Sequence, residues 1–531
     1  MHQNHFTTRM LIAAILVCLT GSMVSGKSLK APPGLFKDLN DEIVADAIII
    51  NGKQLFIDDY IIEELKGAEK VLNQPVKHPR NPLVTPDKPW EKNVTYANGA
   101  VIYDRQEKLF KMWPHGWRKE KKGQQIGLSL YLTSKDGLTW TKPIINKKEK
   151  NNVIPTPQGI SGEGQFKDPA ARDPQRRYKM LYIAKPDGTS KTLSINAAYS
   201  PDGIHWTDEP TNPVVPFSDT QACTFWDSRL GKYVAYLRYG PPNTRLVSRI
   251  ESEDFVNWSP KVTVIRRTKM DAPFRTCHYG MRIMPYEGVY VGLLSAYHGE
   301  TIEKIPEDKL WMDKLDVQLT FSRNGLTWQR VGANGAIPWK DMDDNRNWKK
   351  AAREATFIPY GEHKEDWDWG NIYAYQLPLV VGDEIRIYYT GIAARHWGSY
   401  HGDPEPPSTG VGLAVLRLDG FVSIDAAAAG TMTTKKFVFI GDTLEVNVNA
   451  KGGSILVEAL DADGKVIEGF SKTDCIPITT DSVRHVLKWK GQKDSHLIQA
   501  RPIRLRFYLK KAKLYSFTPR ICHKHYVQSY D

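Results

Sequence analysis

GLSLYLTSKDGLTW (Gly127–Trp140), INAAYSPDGIHW (Ile195–Trp206), RLVSRIESEDFVNW (Arg245–Trp258), VQLTFSRNGLTW (Val317–Trp328) and GVGLAVLRLDGFVS (Gly410–Ser423) are five variants of one phrase. Each is a strand-like run closed by Ser-x-Asp-Gly-x-x-Trp or a near relative. Asp-Gly supplies the positive φ of a tight hairpin, and the Ser or Asp side chain caps the turn. The closing Trp brings a large flat apolar surface to pack between neighbouring units. Ahead of the copies lie further β-rich runs, KLFKMWPHG, RYKMLYIA, KYVAYLRYG, VYVGLLSAY and EIRIYYTG, and a third apolar stretch lies upstream of each. Units of several antiparallel strands, repeating about every fifty to seventy residues, are the signature of propeller blades. The expected fold is all-β: a five-bladed β-propeller over residues 95–425.

The pattern changes on either side. After Asp425–Gly430, where Ala426–Ala429 reads as a small-residue linker, FVFIG, TLEVNVNA, SILVEALDAD, RHVLKW, PIRLRFYL and AKLYSF are short alternating strands with Gly or Asp turns. That spacing predicts a C-terminal β-sandwich with a tail over 426–531. Residues 27–94 are a lead-in, in which KQLFIDDYIIEE (Lys53–Glu64) is the candidate for a strand that closes the ring. Residues 1–26 read as a signal peptide: Arg9, the apolar stretch Met10–Val17, then Ser22, Ser25 and Gly26. The apolar stretch is too short for a stable membrane anchor. The mature protein is expected to be secreted or periplasmic. Past the leader, the cysteines Cys223, Cys277, Cys475 and Cys522 show neither a disulfide framework nor a metal motif, and buried thiols are the simpler reading.

The 531 residues carry a formal charge of +12. A basic balance favours acidic partners. No basic helix, zinc-finger spacing or RNA-binding signature points to nucleic acid. Runs such as Arg118–Lys122 and Lys147–Lys150 are solvated loops in the plain reading and contacts to an anionic polysaccharide in the sharper one. No residue pattern calls for a metal or cofactor.

Chemistry in a propeller sits where the innermost strands start, around the axis. Counting back from each turn places those strands near 95–103, 162–168, 219–226, 275–284 and 368–377. Glu163, Asp219 and Asp368 are the preferred carboxylates, because they share offsets at the strand starts. Asp168, in FKDPAARDP, is a rival that an Asp-Pro turn explains equally well. Tyr96, Asn98, Gln221, Arg275, His278 and Tyr373 are the candidate binding residues. A lone His is more often structural than catalytic, and an Arg such as Arg275 more often pairs with a protein acid. Two carboxyl groups held apart, one protonated and one ionised, suit glycosidic cleavage.

The units SEDFVNW and SKDGLTW, together with NPLVTPDKPWE ahead of the first blade, resemble the blades of glycoside hydrolase families 32 and 43. LFIDDY, RYKM, LGKYVAY and the terminal sandwich resemble secreted bacterial proteins of the family-32-like type. The resemblance implies a five-bladed hydrolase with an Asp on the first blade, an Asp on the second and a Glu on the third. Here the first inner strand has Tyr96 and Asn98 and no acid, Asp168-Pro169 resembles the second-blade Asp-Pro, and the third blade offers Asp219. The expected function is a secreted glycoside hydrolase acting on a plant or algal polysaccharide, with a non-catalytic glycan-binding propeller and a structural cell-surface protein as alternatives.

Overall fold

The repeated turn works through its side-chain oxygens. In the first copy the Ser134 hydroxyl accepts the Gly137 N–H at 2.8 Å, and Asp136 Oδ1 accepts the Leu138 and Thr139 N–H groups at 2.8 and 2.7 Å. Ser200 with Asp202, Ser252 with Asp254 and Ser322 with Asn324 repeat the arrangement. The glycine position needs a left-handed backbone: φ is 73° at Gly137 and 82° at Gly203. The third copy has Phe255 there, with φ 71°. Burial of its ring against Phe166, Tyr233 and Trp258 offsets that strain.

The computed structural model describes residues 47–520 apart from 51, 120–124, 156–161, 185–192, 217–221, 241–243, 338–354, 492–494 and 496–497. The chain divides into two compact units: residues 74–418, and the residues up to 73 with those from 419 onward.

The first unit is a propeller of five antiparallel sheets. Blade 1 is built from Val94–Asp104, Leu109–Lys119, Gln125–Ser129 and Leu132–Ser134. Blade 2 has Gly162–Lys167, Tyr178–Ala184, Ser194–Ser200 and Thr207–Asp208. Blade 3 has Cys223–Asp227, Lys232–Tyr239, Leu246–Ser252 and Val262–Ile265. Blade 4 has Cys277–Tyr286, Val289–His298, Lys314–Ser322 and Gln329–Gly332. Blade 5 has Asn371–Ala374, Glu384–Ile392 and Thr409–Arg417, and its outer strand is Val76–Lys77, which precedes blade 1 in sequence. The ring is thus closed by Val76–Lys77. The expected closing segment, Lys53–Glu64, goes elsewhere: Gln54–Leu55 and Ile62–Lys66 pair within the other unit.

Two sets of contacts lock blade to blade. Each of the first three inner strands ends in an Asp that accepts a Tyr hydroxyl from the next blade. Tyr178 bonds Asp104 at 2.6 Å, Tyr233 bonds Asp168 at 2.8 Å, and Tyr290 bonds Asp227. On the turn side, the motif glycine carbonyl accepts a donor from the preceding blade: Trp113 to Gly203, Tyr236 to Gly325, and Tyr388 of blade 5 to Gly137 of blade 1. The motif Trp328 is fully buried against Tyr236 of blade 3 and Tyr290 of its own blade.

At the axis one side chain spans several blades. Gln376, 1 % exposed, donates from Nε2 to the carbonyls of Gln165 (3.2 Å) and Thr224 (2.8 Å) and accepts the Thr224 N–H at 3.1 Å. Its own N–H bonds the Gly99 carbonyl at 3.0 Å. Blade 5 is thereby tied to blades 1, 2 and 3. Gly99 has no side chain because the Tyr375 ring lies where a Cβ would sit, 2.3 Å away.

The second unit is the β-sandwich. Its longest strand, Arg504–Arg520, pairs with Val422–Thr434, Thr443–Asn449, Ser454–Leu460 and Gln54–Leu55, around a core that includes Phe56, Phe437, Trp489, Phe507 and Phe517. The segment expected to be a linker, Ala426–Ala429, lies inside the strand Val422–Thr434, as does the expected division near Asp425–Gly430. The fifth copy of the turn phrase is also different. Asp419 does not cap a blade hairpin; its carboxylate accepts from Lys53, Asn447 and Ser516 inside this unit. Cys223, Cys277 and Cys475 are buried free thiols.

Gln376→Leu keeps the volume and removes the amide. It should destabilise the propeller by about 1–3 kcal/mol or more, because the Thr224 N–H loses its acceptor inside a closed core. Urea unfolding of the variant beside the wild type measures this, and an unchanged midpoint would remove Gln376 from its role.

Candidate functional site

The inner strands start at one end of the propeller, and there a cavity of about 800 Å³ opens. Blade 1 contributes Asn93, Thr95, Tyr96, Ala97 and Asn98 from the start of its inner strand, with Trp117 from the next. Blade 5 contributes Asn371 and Tyr373 from its inner strand. Arg238 comes from blade 3 and Tyr279 from blade 4. The remaining wall is the loop between the last two long strands of blade 5, where Arg395, His396, Trp397, Tyr400 and Glu405 lie.

That loop is held by buried carboxylates. Asp313 takes a left-handed backbone, φ 60°, just before the third strand of blade 4. Its carbonyl accepts the His396 N–H at 2.9 Å, its Oδ2 accepts the Trp397 N–H at 2.7 Å, and its Oδ1 accepts the Tyr297 hydroxyl at 2.5 Å. Burial is the leading cause that pushes the Asp313 carboxyl up to about 6. Asp403 accepts the Arg395 N–H at 2.9 Å and pairs with its guanidinium at 2.7 Å. On this fixed backbone Trp397 and Tyr400, 38 % and 63 % exposed, stand as an edge-to-face pair on the rim.

Deeper in, the Tyr279 hydroxyl meets His396 Nε2 at 2.7 Å. The Arg238 and Arg245 guanidiniums lie over the Tyr279 ring, 4.1 and 4.9 Å from its centre. Arg245 also pairs with Glu300 at 2.5 Å. Burial, followed by the charges of Arg245 and Arg238, lowers the His396 pKa to about 3, so the imidazole is neutral. Burial also raises the Tyr373 phenol well above its usual range. No group of His, Cys, Asp and Glu among the described residues could hold a metal ion.

Tyr96, Asn98 and Tyr373, expected at the site, all line this cavity; Tyr96 also donates to Glu91 at 2.8 Å. Glu163 lies near the start of the blade 2 inner strand, opposite Leu181. Asp219 and Gln221 fall outside the described residues, as does most of the Trp339–Asp368 insertion.

The other candidates sit away from the cavity lining. Asp168 lies at the far end of its inner strand, where it accepts from Tyr233 and pairs with Lys179 at 2.6 Å. Its equivalents are Asp104 and Asp227, and its work is joining blades. Asp368 is 1 % exposed, with its Oδ2 taken by Lys77 at 2.7 Å and by the Tyr389 hydroxyl at 3.0 Å. It holds the closing strand. His278 is fully buried, 3.5 Å from Asp271 and 3.4 Å from Arg330. Despite the cost of burial, Arg330 and His278 hold the Asp271 carboxyl well below its usual range. Arg275 is exposed on a short turn outside the cavity lining, with φ 46°.

Sequence reasoning passed over Arg238, Tyr279, Arg395, His396, Trp397, Tyr400 and Glu405. One signal was present: ARHWGSYHGD (Ala394–Asp403) packs Arg, His, Trp and Tyr into a single inter-strand loop.

No family model matches the chain. No curated protein matches it. Solved structures that resemble it include a glycosyl hydrolase from Bacteroides ovatus, at 12 % identity and a TM-score of 0.40, covering 65 % of this chain and 94 % of that one. Another is an N-acetylgalactosamine deacetylase from F. plautii in complex with blood group B trisaccharide, at 12 % identity and a TM-score of 0.40, covering 67 % and 97 %. Likeness of that degree identifies no residue of the site.

The raised Asp313 pKa has a direction that can be measured. A carboxyl favoured in its neutral form by the fold contributes stability that is complete below its ordinary value of 3.8 and lost as pH rises through about 6. Relative to Asp313→Asn, the wild type should therefore lose up to about 3 kcal/mol between pH 4 and pH 7. Melting the two proteins side by side across that range tests it; a constant difference would contradict the assignment.

Proposed function

We propose that the protein is an exported carbohydrate-active enzyme that cleaves a polysaccharide or oligosaccharide in this cavity, as a glycoside hydrolase. The observation that carries the reading is the lining itself. A sugar ring offers an apolar C–H face and a rim of hydroxyls. Tyr96, Trp117, Tyr279, Tyr373, Trp397 and Tyr400 supply flat faces, while Asn98, Asn371, Arg238 and Arg395 supply planar polar groups. Concave sites that mix aromatic walls with a few convergent polar groups are the usual form of small-ligand pockets.

In the hydrolytic reading Asp219 and Glu163 serve as acid and base. Glu163 opens the blade 2 inner strand, and Asp219 keeps its role from the sequence pattern alone. A second reading, a glycan-binding propeller without turnover, is favoured by one observation: among the described lining residues Glu405 is the sole carboxylate.

Reducing-end release from a panel of plant and algal polysaccharides separates these readings. Hydrolysis predicts release by the wild type, and a fall of about a hundredfold or more in Glu163→Gln and in Asp219→Asn, with unchanged melting. Binding to the panel with no release of any kind selects the second reading. If neither variant lowers the rate on a confirmed substrate, the carboxylate assignment is wrong.

A further inference from the structure

The Tyr279–His396 pair is an acid–base unit that the carboxylate mechanism does not use. Its phenol and imidazole are 2.7 Å apart, both line the cavity, and His396 Nδ1 is buried with no hydrogen-bond partner among the described residues. In the tautomer protonated at Nδ1, Nε2 accepts the phenolic proton. The tyrosine thus stands at the cavity wall with a proton acceptor directly behind it. Hydrolysis by two carboxylates has no need of it.

We propose that the cavity acts on uronic-acid-containing polysaccharides and cleaves them by β-elimination, with Tyr279 and His396 as catalytic residues. The proposal rests on the reading that the cavity binds and cleaves a glycan; it names the sugar class and puts elimination in place of carboxylate hydrolysis. The electrons and protons close without water. Tyr279 Oη takes the proton from C5 of the uronate as its own proton passes to His396 Nε2. The C5–H electron pair becomes the C4=C5 double bond, and the C4–O bond to the next sugar breaks. The departing oxygen takes a proton from Tyr279, which recovers one from His396. Both side chains end as they began, and the products are a new chain end and an unsaturated uronate.

The arginine has two parts in this. C5–H is acidic only if the neighbouring carboxylate is neutralised, and the Arg238 guanidinium lines the cavity beside the Tyr279 ring. The same charge weakens His396 as a base in the empty site, after burial and together with Arg245. A substrate carboxylate seated against Arg238 offsets part of that field, while burial and Arg245 continue to act. Selection of uronates over neutral sugars then rests on the contact between Arg238 and the sugar carboxylate.

The test offers polygalacturonate, alginate, glucuronan and hyaluronan to the full chain, with dextran as the neutral control. Binding is read by calorimetry, chain scission by reducing ends, and elimination by the ultraviolet absorbance of the unsaturated product. The expected result is unsaturated product from at least one uronate polymer and none from dextran. Tyr279→Phe should cut its rate about a hundredfold or more while binding persists. Arg238→Gln should weaken uronate binding about tenfold or more. Reducing ends without unsaturation would overturn the elimination and leave the glycan reading standing. Loss of all binding to sugars would sink both. Full activity in Tyr279→Phe would overturn the residue assignment even if elimination occurs. The wild-type product decides the reaction whether or not a variant folds.

Discussion

The propeller depends on how its centre is filled. Inner strands of a ring pair with one another only locally, as in the parallel bridge between Ala100 and Gln376, so their edges leave carbonyls and N–H groups facing the axis. Each such group costs free energy if it is buried without a partner. Gln376 answers this with one amide, which reaches the backbones of blades 2 and 3 while its own N–H holds blade 1. The cavity lies nearer the strand starts, lined by Tyr96, Asn98, Asn371 and Tyr373 among others. The ring of Asp–Tyr pairs at the far ends of the strands then sets the spacing of the first four blades.

The same inner strands thus serve two purposes along their length. Residues near their starts, such as Asn98 and Tyr373, face the cavity. Residues at their ends, such as Asp104 and Asp168, are consumed in holding neighbours. At the ends Asp104, Asp168 and Asp227 are taken up by a tyrosine of the next blade and a neighbouring cation, and ahead of the blade 5 inner strand Asp368 is taken up in the same way by Lys77 and Tyr389.

This explains which parts were legible. The five-bladed architecture follows from local chemistry, because each turn is specified by its own Ser, Asp and Gly within a few residues. The fifth phrase shares the letters Asp-Gly and not the role: at Asp419 the chain is already leaving the propeller. Tyr96, Asn98 and Tyr373 were readable because they lie at fixed offsets in strands that the turns locate. The structural work of Asp168 and Asp368 was not legible, because composition cannot show that Tyr233 of the next blade meets Asp168 or that Lys77 comes back to meet Asp368. The Tyr279–His396 contact was beyond reach. Its members sit on different blades, 117 residues apart, and nothing near either in sequence announces the other.

The sandwich has a consequence for the whole chain. It is assembled from two pieces, residues up to 73 and residues from 419, and at the seam the Asn73 N–H bonds the Phe421 carbonyl at 3.0 Å. The propeller is therefore an insertion within another domain. During synthesis its blades emerge and can collapse while the first piece of the sandwich still waits for its partner strands. Once those arrive, both ends of the inserted chain are stapled together, as a covalent cross-link would staple a long loop, and the conformational freedom of the unfolded ring is cut accordingly. Fraying cannot then start at a propeller terminus, because the propeller no longer has a free one. A single cut within the ring would leave both halves tethered through the sandwich.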